Sequence, residues 1–323
     1  MNFFVFPTPL ALAVAAVLSL TAHAQAPYPN QGIRFIVPYA PGGLPDTVAR
    51  IVGQHLQERI GQSVVIENRA SGGAVLAVGA LMGAPADGYT FLVTDGGILS
   101  TNPALFKQLS YNPKDIIPLA LLGRAPMFLA THPDLPVSTL REFIDYVKAR
   151  PGEINYGSSG VGSIHHLSME ALKAPLQLKM THIPYRGTGQ SVPALLGGHV
   201  QVLFAAYPSL AGAAESKKVK LLAQNGEGRW FQAPDVPAVS EVISNFDLAT
   251  IVGLFARPGV PQAVTEKIAA EAIAAANSPA AEKQLRAAGI EPAGGNAKTL
   301  GRALRREIDK VNEVVKNAGI EPQ

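Results

Sequence analysis

Short apolar runs alternate with amphipathic helix patterns along this chain, and that alternation constrains the fold more than any other feature of its 323 residues. "IRFIV" (33–37) predicts a buried strand, "LPDTVARIVGQHLQERI" a helix, "SVVIEN" a strand, "AVLAVGALMGA" a helix and "YTFLVT" a strand. A second series follows. "STLREFIDYVKAR" opens with Thr139 and Glu142 at capping-box spacing; then come "INYGSS", a helix from Ser163, "MTHIPY", a helix from about Thr188, "VQVLFA" and "VKLLAQ". Strands written as continuous apolar runs are covered on both faces, which makes the class α/β. After "IVGLFARPG" the pattern changes, and residues 261–318 are expected to be almost wholly helical, with Leu300, Leu304, Ile308, Val311 and Val315 at helical spacing.

No Gly/Ser linker or charged tract separates the two series. Strand-like crossings near Arg124 to Met127 and again near Ala249 to Phe255 would join two α/β lobes, residues 27–125 plus 250–323 and residues 126–249, with a cleft between them. A faint internal echo fits two lobes: "IVPYAPGGLPDTVARI" and "THIPYRGTGQSVPALL" both run strand, Pro-Tyr, glycine loop, helix, so that Pro38, Tyr39 and Gly43 align with Pro184, Tyr185 and Gly189.

Residues 1–26 have the form of a secretion signal. Leu10 to Leu20 is an apolar h-region, too short for the ~20 residues that span a bilayer, and Ala22-His23-Ala24 is a small-x-small pattern that places cleavage after Ala24. The n-region carries no Lys or Arg. The absence of cysteine excludes disulfides and thiolate chemistry, so an exported chain of this kind relies on its core, and a hydrophobic content of 47% supplies one. With 27 Lys+Arg against 24 Asp+Glu and no run of five basic residues, nucleic acid is not an expected partner.

The stretch "NYGSSGVGSIHHLSMEAL" (155–172) carries the densest chemistry. Gly157 and Gly162 have phosphate-loop spacing, but Ser163-Ile164 stand where that loop needs Lys and Ser/Thr, which excludes nucleotide hydrolysis. Neither Ser159 nor Ser163 lies in Gly-x-Ser-x-Gly, so no nucleophile elbow is present. His165 and His166 point about 100° apart on a helix, and His166 with Glu170 makes an incomplete metal site; no metal or cofactor is expected. What remains is an anion cradle: backbone N–H groups at a helix start, with Ser158, Ser159 and Ser163 adding hydroxyls. The loop "PYAPGGLPD" (38–46) offers a second set, with Pro45 suited to a first helical position and Asp46 placed to cap.

At these residues the chain resembles a known family. "YPNQGIRFIVPYAPGGLPDTVARIV", "VVIENRASGG", "APADGYTFLV", "NPALFKQLSYNPKDIIPLALLG", "INYGSSGVGSIHHL", "IPYRGTGQSVPALLGGHVQVLF" and "APDVPAVSE" are similar, in consistent order from Tyr28 onward, to the signatures of the Bug (Bordetella uptake gene) receptors, the solute-binding proteins of tripartite tricarboxylate transporters. The resemblance implies a type II periplasmic binding protein, a two-lobed Venus flytrap that is monomeric and not an enzyme. It would capture a small organic acid in the periplasm and deliver it to the large and small integral-membrane subunits of a secondary transporter.

Carried onto this chain, the family's ligand-binding elements are Tyr39, Gly42 and Gly43; Thr94, Asp95, Gly96 and Gly97; Ser158, Ser159, Gly162, Ser163 and His165; and the turn Tyr185, Arg186, Gly187. Positions where the chain departs from its relatives belong to the expected site as well. Many relatives have Ser-Thr-Asp after the paired glycines, where this chain has Leu44-Pro45-Asp46, and Phe-Asp-Asn before Pro-Ser, where it has Phe204 to Tyr207 with Ala205 and Ala206. A Trp is common where it has Ile251-Val252. Polar and aromatic positions have become apolar, which points to a carboxylate with an apolar or aromatic body and away from amino acids, whose amine would be buried unpaired at several kcal/mol. Two other classes share these residues: a ligand-sensing partner of a signalling system, and a periplasmic hydrolase, which would need a nucleophile–base pair.

Overall fold

In the computed structural model, which describes residues 28–226, 228–244 and 246–322, the apolar runs form two separate mixed sheets. The expected signal peptide and its cleavage point lie outside the described residues. The strands are β1 (Ile33–Val37), β2 (Val64–Asn68), β3 (Thr90–Asp95), β4 (Ile117–Ala125), β5 (Met127–Thr131), β6 (Asn155–Ser158), β7 (Thr181–Pro184), β8 (Val202–Ala206), β9 (Lys220–Gln224), β10 (Thr250–Ala256) and β11 (Glu291–Asn296). One sheet has the order β11-β4-β10-β3-β1-β2 and the other β7-β6-β8-β5-β9. Within them β1 runs parallel to β2 and β3, and β6 parallel to β7 and β8.

The helices are α1 (Leu44–Ile60), α2 (Val75–Gly83), α3 (Thr101–Leu105), α4 (Leu140–Ala149), α5 (Ile164–Leu176), α6 (Thr188–Leu196), α7 (Tyr207–Glu215), α8 (Gln262–Ala276), α9 (Pro279–Ala287) and α10 (Ala297–Asn317). They cover the sheets as the continuous apolar runs require: β3, β8 and β10 are buried at every position. On α1, Val48, Ala49, Val52 and Leu56 are buried together, one helical stripe against the first sheet. Among the described residues no helix is long and apolar enough to cross a membrane.

The tail differs from its expected form in two respects. Residues 291–296 break the helical run as strand β11, which pairs antiparallel with β4 across a register shift between Pro292 and Gly295. Proline and two glycines disfavour an interior strand, but this one lies at the sheet edge, where only one side must pair. Along α10 the buried stripe is Leu300, Leu304, Val311 and Val314, with Ile308 and Val315 only partly covered.

The backbone passes between the sheets twice, from β4 to β5 through Pro126 and again just before β10. Buried Asn225 joins the crossings: its Oδ1 accepts from Met127 N at 2.6 Å, and its Nδ2 donates to Leu248 O at 2.8 Å and Ser168 Oγ at 3.1 Å. Beside them Arg124 Nη2 donates to both carboxylate oxygens of Asp247, each at 3.0 Å.

Candidate functional site

The loops after β1, β3, β6, β7 and β8 converge on a cavity of about 660 Å³ between the two sheets. Ligands of open α/β sheets bind at these carboxyl ends of strands, because there the helices that follow present their N-termini. Among the described residues, α1 at Gly43, α6 at Gly187 and α7 at Ala206 open on the cavity wall without a side-chain cap. The first turns of α6 and α7 hold no acidic residue, so their partial positive ends face the cavity, whereas α1 carries the Asp46 carboxylate in its own first turn. The loop amides of Gly43, Leu44, Val161, Ile164 and Thr188 take no partner among the described residues.

The opposed loops approach closely. A side-chain carbon added at Gly43 would come within 3.7 Å of Thr188 Oγ1, and one at Gly162 would overlap Leu105 Cδ1. Gly162, at φ +76, and Gly187, at φ +100, also hold backbone conformations that favour glycine.

Most of the expected residues lie on the cavity wall, but not all. Tyr39, Gly43, Leu44, Asp95 and Gly97 line it from the first sheet. From the second come Ser159, Gly162, Ser163 and His165, then Tyr185, Arg186 and Gly187, and finally Ala206. Asp46, Thr94, Gly96, Ser158 and Ala205 are buried behind the wall, and Gly42 is exposed outside it.

Behind the first loop, the Asp46 carboxylate accepts from Gly42 N at 2.9 Å, from Arg50 Nε and Nη2 at 2.9 and 3.0 Å, and from Asn68 Nδ2 at 2.9 Å. Burial opposes its ionisation, but these donors outweigh burial and hold the carboxyl below its ordinary range. Asp46 thus shapes the loop and takes up the Gly42 amide.

In the second loop two of the three serine hydroxyls are committed locally. Ser158 Oγ lies 2.6 Å from His182 Nε2 and donates to Gly160 O, while Ser163 Oγ donates to Gly160 O at 2.8 Å and accepts from His166 N. Gly162 N donates to His166 Nδ1 at 3.1 Å. The His166 and His182 rings stack at 4.1 Å, with Tyr156 stacked on His182 at 4.8 Å, so the loop rests on an aromatic pile. Burial lowers both imidazoles, His182 to about 4, so the pile is neutral. Ser158 and His182 form a hydroxyl–imidazole pair, but Ser158 is buried and off the cavity wall, where no substrate carbonyl reaches it.

Ser159 Oγ and His165 Nδ1 are different: both are buried, both belong to the cavity wall and neither has a hydrogen-bond partner among the described residues. Burial lowers the His165 imidazole to about 4, leaving a neutral ring with one ring nitrogen free for a ligand. Thr250 Oγ1 and Ser209 Oγ share this condition. Nothing in the sequence pattern singles out these two; the only local signal is the Pro-Ser after Tyr207. Arg186 is exposed on the wall and enters no ion pair among the described residues.

Asp95 is the one acidic side chain lining the cavity among the described residues. Its Oδ1 accepts from Tyr39 Oη at 2.8 Å and Gly97 N at 3.0 Å, and burial raises its pKa. Below it, Glu307 reaches from α10 to accept from Ser100 Oγ at 2.6 Å, its carboxyl pressed on the Gly96 backbone although the residue as a whole stays partly exposed. Burial, reinforced by the Asp95 charge and opposed by Ser100, pushes Glu307 up to about 8. Near neutral pH it is largely protonated, which spares an anion in the cavity a second negative neighbour.

This shift has a signed consequence. The unfolded chain ionises Glu307 near 4.5, so between 4.5 and 8 the folded state keeps a proton that the unfolded state has released, and stability falls as pH rises through that window. Glu307→Gln should remove this fall: the melting temperature of the variant gains on the parent from pH 5 to pH 9. A constant gap across that range would show that Glu307 does not titrate there.

Comparisons with known proteins bear on the family and the fold. Residues 48–320 match the family model described as Tripartite tricarboxylate transporter family receptor, TctC. A UPF0065 protein of Bordetella pertussis is 34% identical over 97% of this chain and 96% of its own length. Three solved structures align over nearly their full length. Rpa4515 of Rhodopseudomonas palustris, solved with adipate, has a TM-score of 0.88 at 30% identity, covering 92% of this chain and 100% of that one. The periplasmic binding protein BugD has 0.85 at 28% identity, covering 92% and 100%. MatC of the same R. palustris, with bound malate, has 0.82 at 30% identity, covering 89% and 100%.

Proposed function

The chain belongs to the tripartite tricarboxylate transporter receptors of the TctC family, and from that premise we propose that it captures a small carboxylate with an apolar or aromatic body in the periplasm and passes it to the family's membrane subunits. The observation that carries the ligand assignment is the cavity itself, walled by uncapped helix starts and unpartnered amides yet lacking, among the described residues, a cation buried in an ion pair. Such a surface suits an anion held by backbone donors, with Arg186 at the rim. Between these donors the wall is apolar: Leu44, Ile98, Phe106, Val161, Ile164 and Met127. Relatives solved with adipate and malate support the carboxylate.

A carboxylate touching both loops binds the closed arrangement better than the open one and so shifts the population toward closure. Three or four charge-assisted hydrogen bonds at about 1.5–3 kcal/mol each support micromolar affinity after ordering costs. Titration calorimetry against matched acids tests the reading. Acids with aliphatic or aromatic bodies should bind in the micromolar range and glutamate and citrate at least tenfold more weakly. Tight binding of glutamate or citrate with none of the apolar acids would overturn it.

A further inference from the structure

The C-terminal helix α10 carries a charge pattern that neither its packing nor the cavity explains. Its opening stretch, Ala297 to Arg306, holds Lys298, Arg302, Arg305 and Arg306 and no acid. All four cations are exposed, and none enters an ion pair or hydrogen bond among the described residues. Further along, Asp309 and Glu313 alternate with Lys310 and Lys316, and Lys310 Nζ donates to Glu313 at 3.0 Å, so the second half of the helix is balanced. At about 100° per residue the four cations fall within roughly a third of the helix circumference, opposite the buried stripe of Leu300, Leu304, Val311 and Val314.

A helix start is already positive, so acids are favoured in the first turn and cations are not. The first turn of α10 has no acid and carries Lys298 instead. Dipole and side chains therefore add, and the face projects a concentrated positive field where a merely solvated one would mix both signs. It offers charge without a socket: the exposed large apolar side chains lie elsewhere, as at Val75 and Leu76 of α2, and none among the described residues is on α10. A specific protein interface draws most of its energy from buried aromatic or aliphatic anchors, which this face lacks. Four long cationic side chains without an anchor suit a surface of dense, diffuse negative charge, the headgroup layer of an anionic membrane. The family serves a membrane transporter, so cargo is handed over at such a layer. None of the four cations lines the cavity, and adsorption through them uses no residue of the ligand site.

We propose that Lys298, Arg302, Arg305 and Arg306 form a membrane-adsorbing face that holds the receptor electrostatically against anionic phospholipid headgroups. This goes beyond the carboxylate reading and does not depend on which acid is carried.

Co-sedimentation with vesicles tests it on the protein from Gln25 onward, without cargo. At about 0.05 M salt the parent should bind dioleoylphosphatidylglycerol vesicles and leave dioleoylphosphatidylcholine vesicles alone, and about 0.5 M salt should release it. Each cation near an anionic surface contributes about fivefold, so Arg302→Gln alone should weaken partitioning about fivefold and R302Q/R305Q/R306Q about a hundredfold. Gln matches Arg in helix propensity, so the triple variant should keep the parent's melting temperature to within about 3 °C. K148Q/K179Q/K218Q removes the same charge from exposed positions around the second sheet and should cost about threefold or less. Equal binding of the parent to both vesicle types, or equal losses in the two triple variants, overturns the proposal. Binding to the transporter's membrane subunits in phosphatidylcholine nanodiscs that R302Q/R305Q/R306Q abolishes, with none to phosphatidylglycerol vesicles, also overturns it and makes the face a protein-docking surface.

Discussion

Gly162→Val should weaken carboxylate binding by about 30- to 150-fold while the chain still folds. Two costs arise at this position, and they act on different equilibria. The backbone at φ +76 disfavours any residue with a Cβ, by roughly 1–2 kcal/mol, in the open and the closed protein alike, so this cost lowers the melting temperature and not the affinity. The second cost is the overlap of the new side chain with Leu105 Cδ1. Gly162 follows β6 of one sheet and Leu105 ends α3 beside the other, so opening the cleft relieves the overlap without disturbing either core. An overpacking penalty of about 2–3 kcal/mol confined to the closed state reappears in full as lost affinity. Calorimetry gives the affinity, and small-angle scattering should show a more open particle that no longer contracts with ligand. Parental affinity in this variant would remove the Gly162–Leu105 approach from the binding cycle.

The second large effect falls on stability. Asp46→Ala should destabilise the protein by about 3 kcal/mol at pH 7, since it removes one buried carboxylate that serves three partners at once. Gly42 N and Asn68 Nδ2 would lose that acceptor; the Arg50 side chain, 51% exposed, recovers water and keeps the loss below that of a fully buried pair. Asn68 also donates to Tyr39 O at 3.0 Å, so the damage spreads to the loop that lines the cavity. The sign with pH is fixed by the lowered pKa. The stabilisation is present above the ordinary value of 3.8 and is lost as pH falls through the lower folded value. Urea midpoints at pH 7 measure the loss, and the steep acid limb of the parent's melting curve should flatten in the variant. A variant within about 0.5 kcal/mol of the parent would mean that the cluster is incidental to the fold.

The strands buried on both faces were legible because such strands are written as apolar runs, as in Val202–Ala206 and the stretch from Ile251 to Ala256, and the helices because Val48, Val52 and Leu56 repeat at helical spacing. The edge strand Glu291–Asn296 was not legible. Its proline and glycines argue against a strand, and only the open edge of β4 turns them into one. The approximate location of the candidate site was also written locally, since glycine and serine ahead of a helix leave amides unpaired wherever they occur.

Which polar groups remain free for a ligand was decided by the tertiary structure alone. Ser158, Ser159 and Ser163 are equivalent in sequence, yet His182 and the Gly160 carbonyl claim two of them and leave Ser159 open. Thr250 and Ser209 sit far from every glycine loop along the chain and reach the cavity only because β10 pairs with β4 and β5 with β8. Sequence by itself determined the α/β alternation, the two series and the loops that begin helices, since these depend on contacts a few residues apart. The assignment of each donor to the protein or to its cargo depends on groups brought together from distant parts of the chain, and folding alone makes that choice.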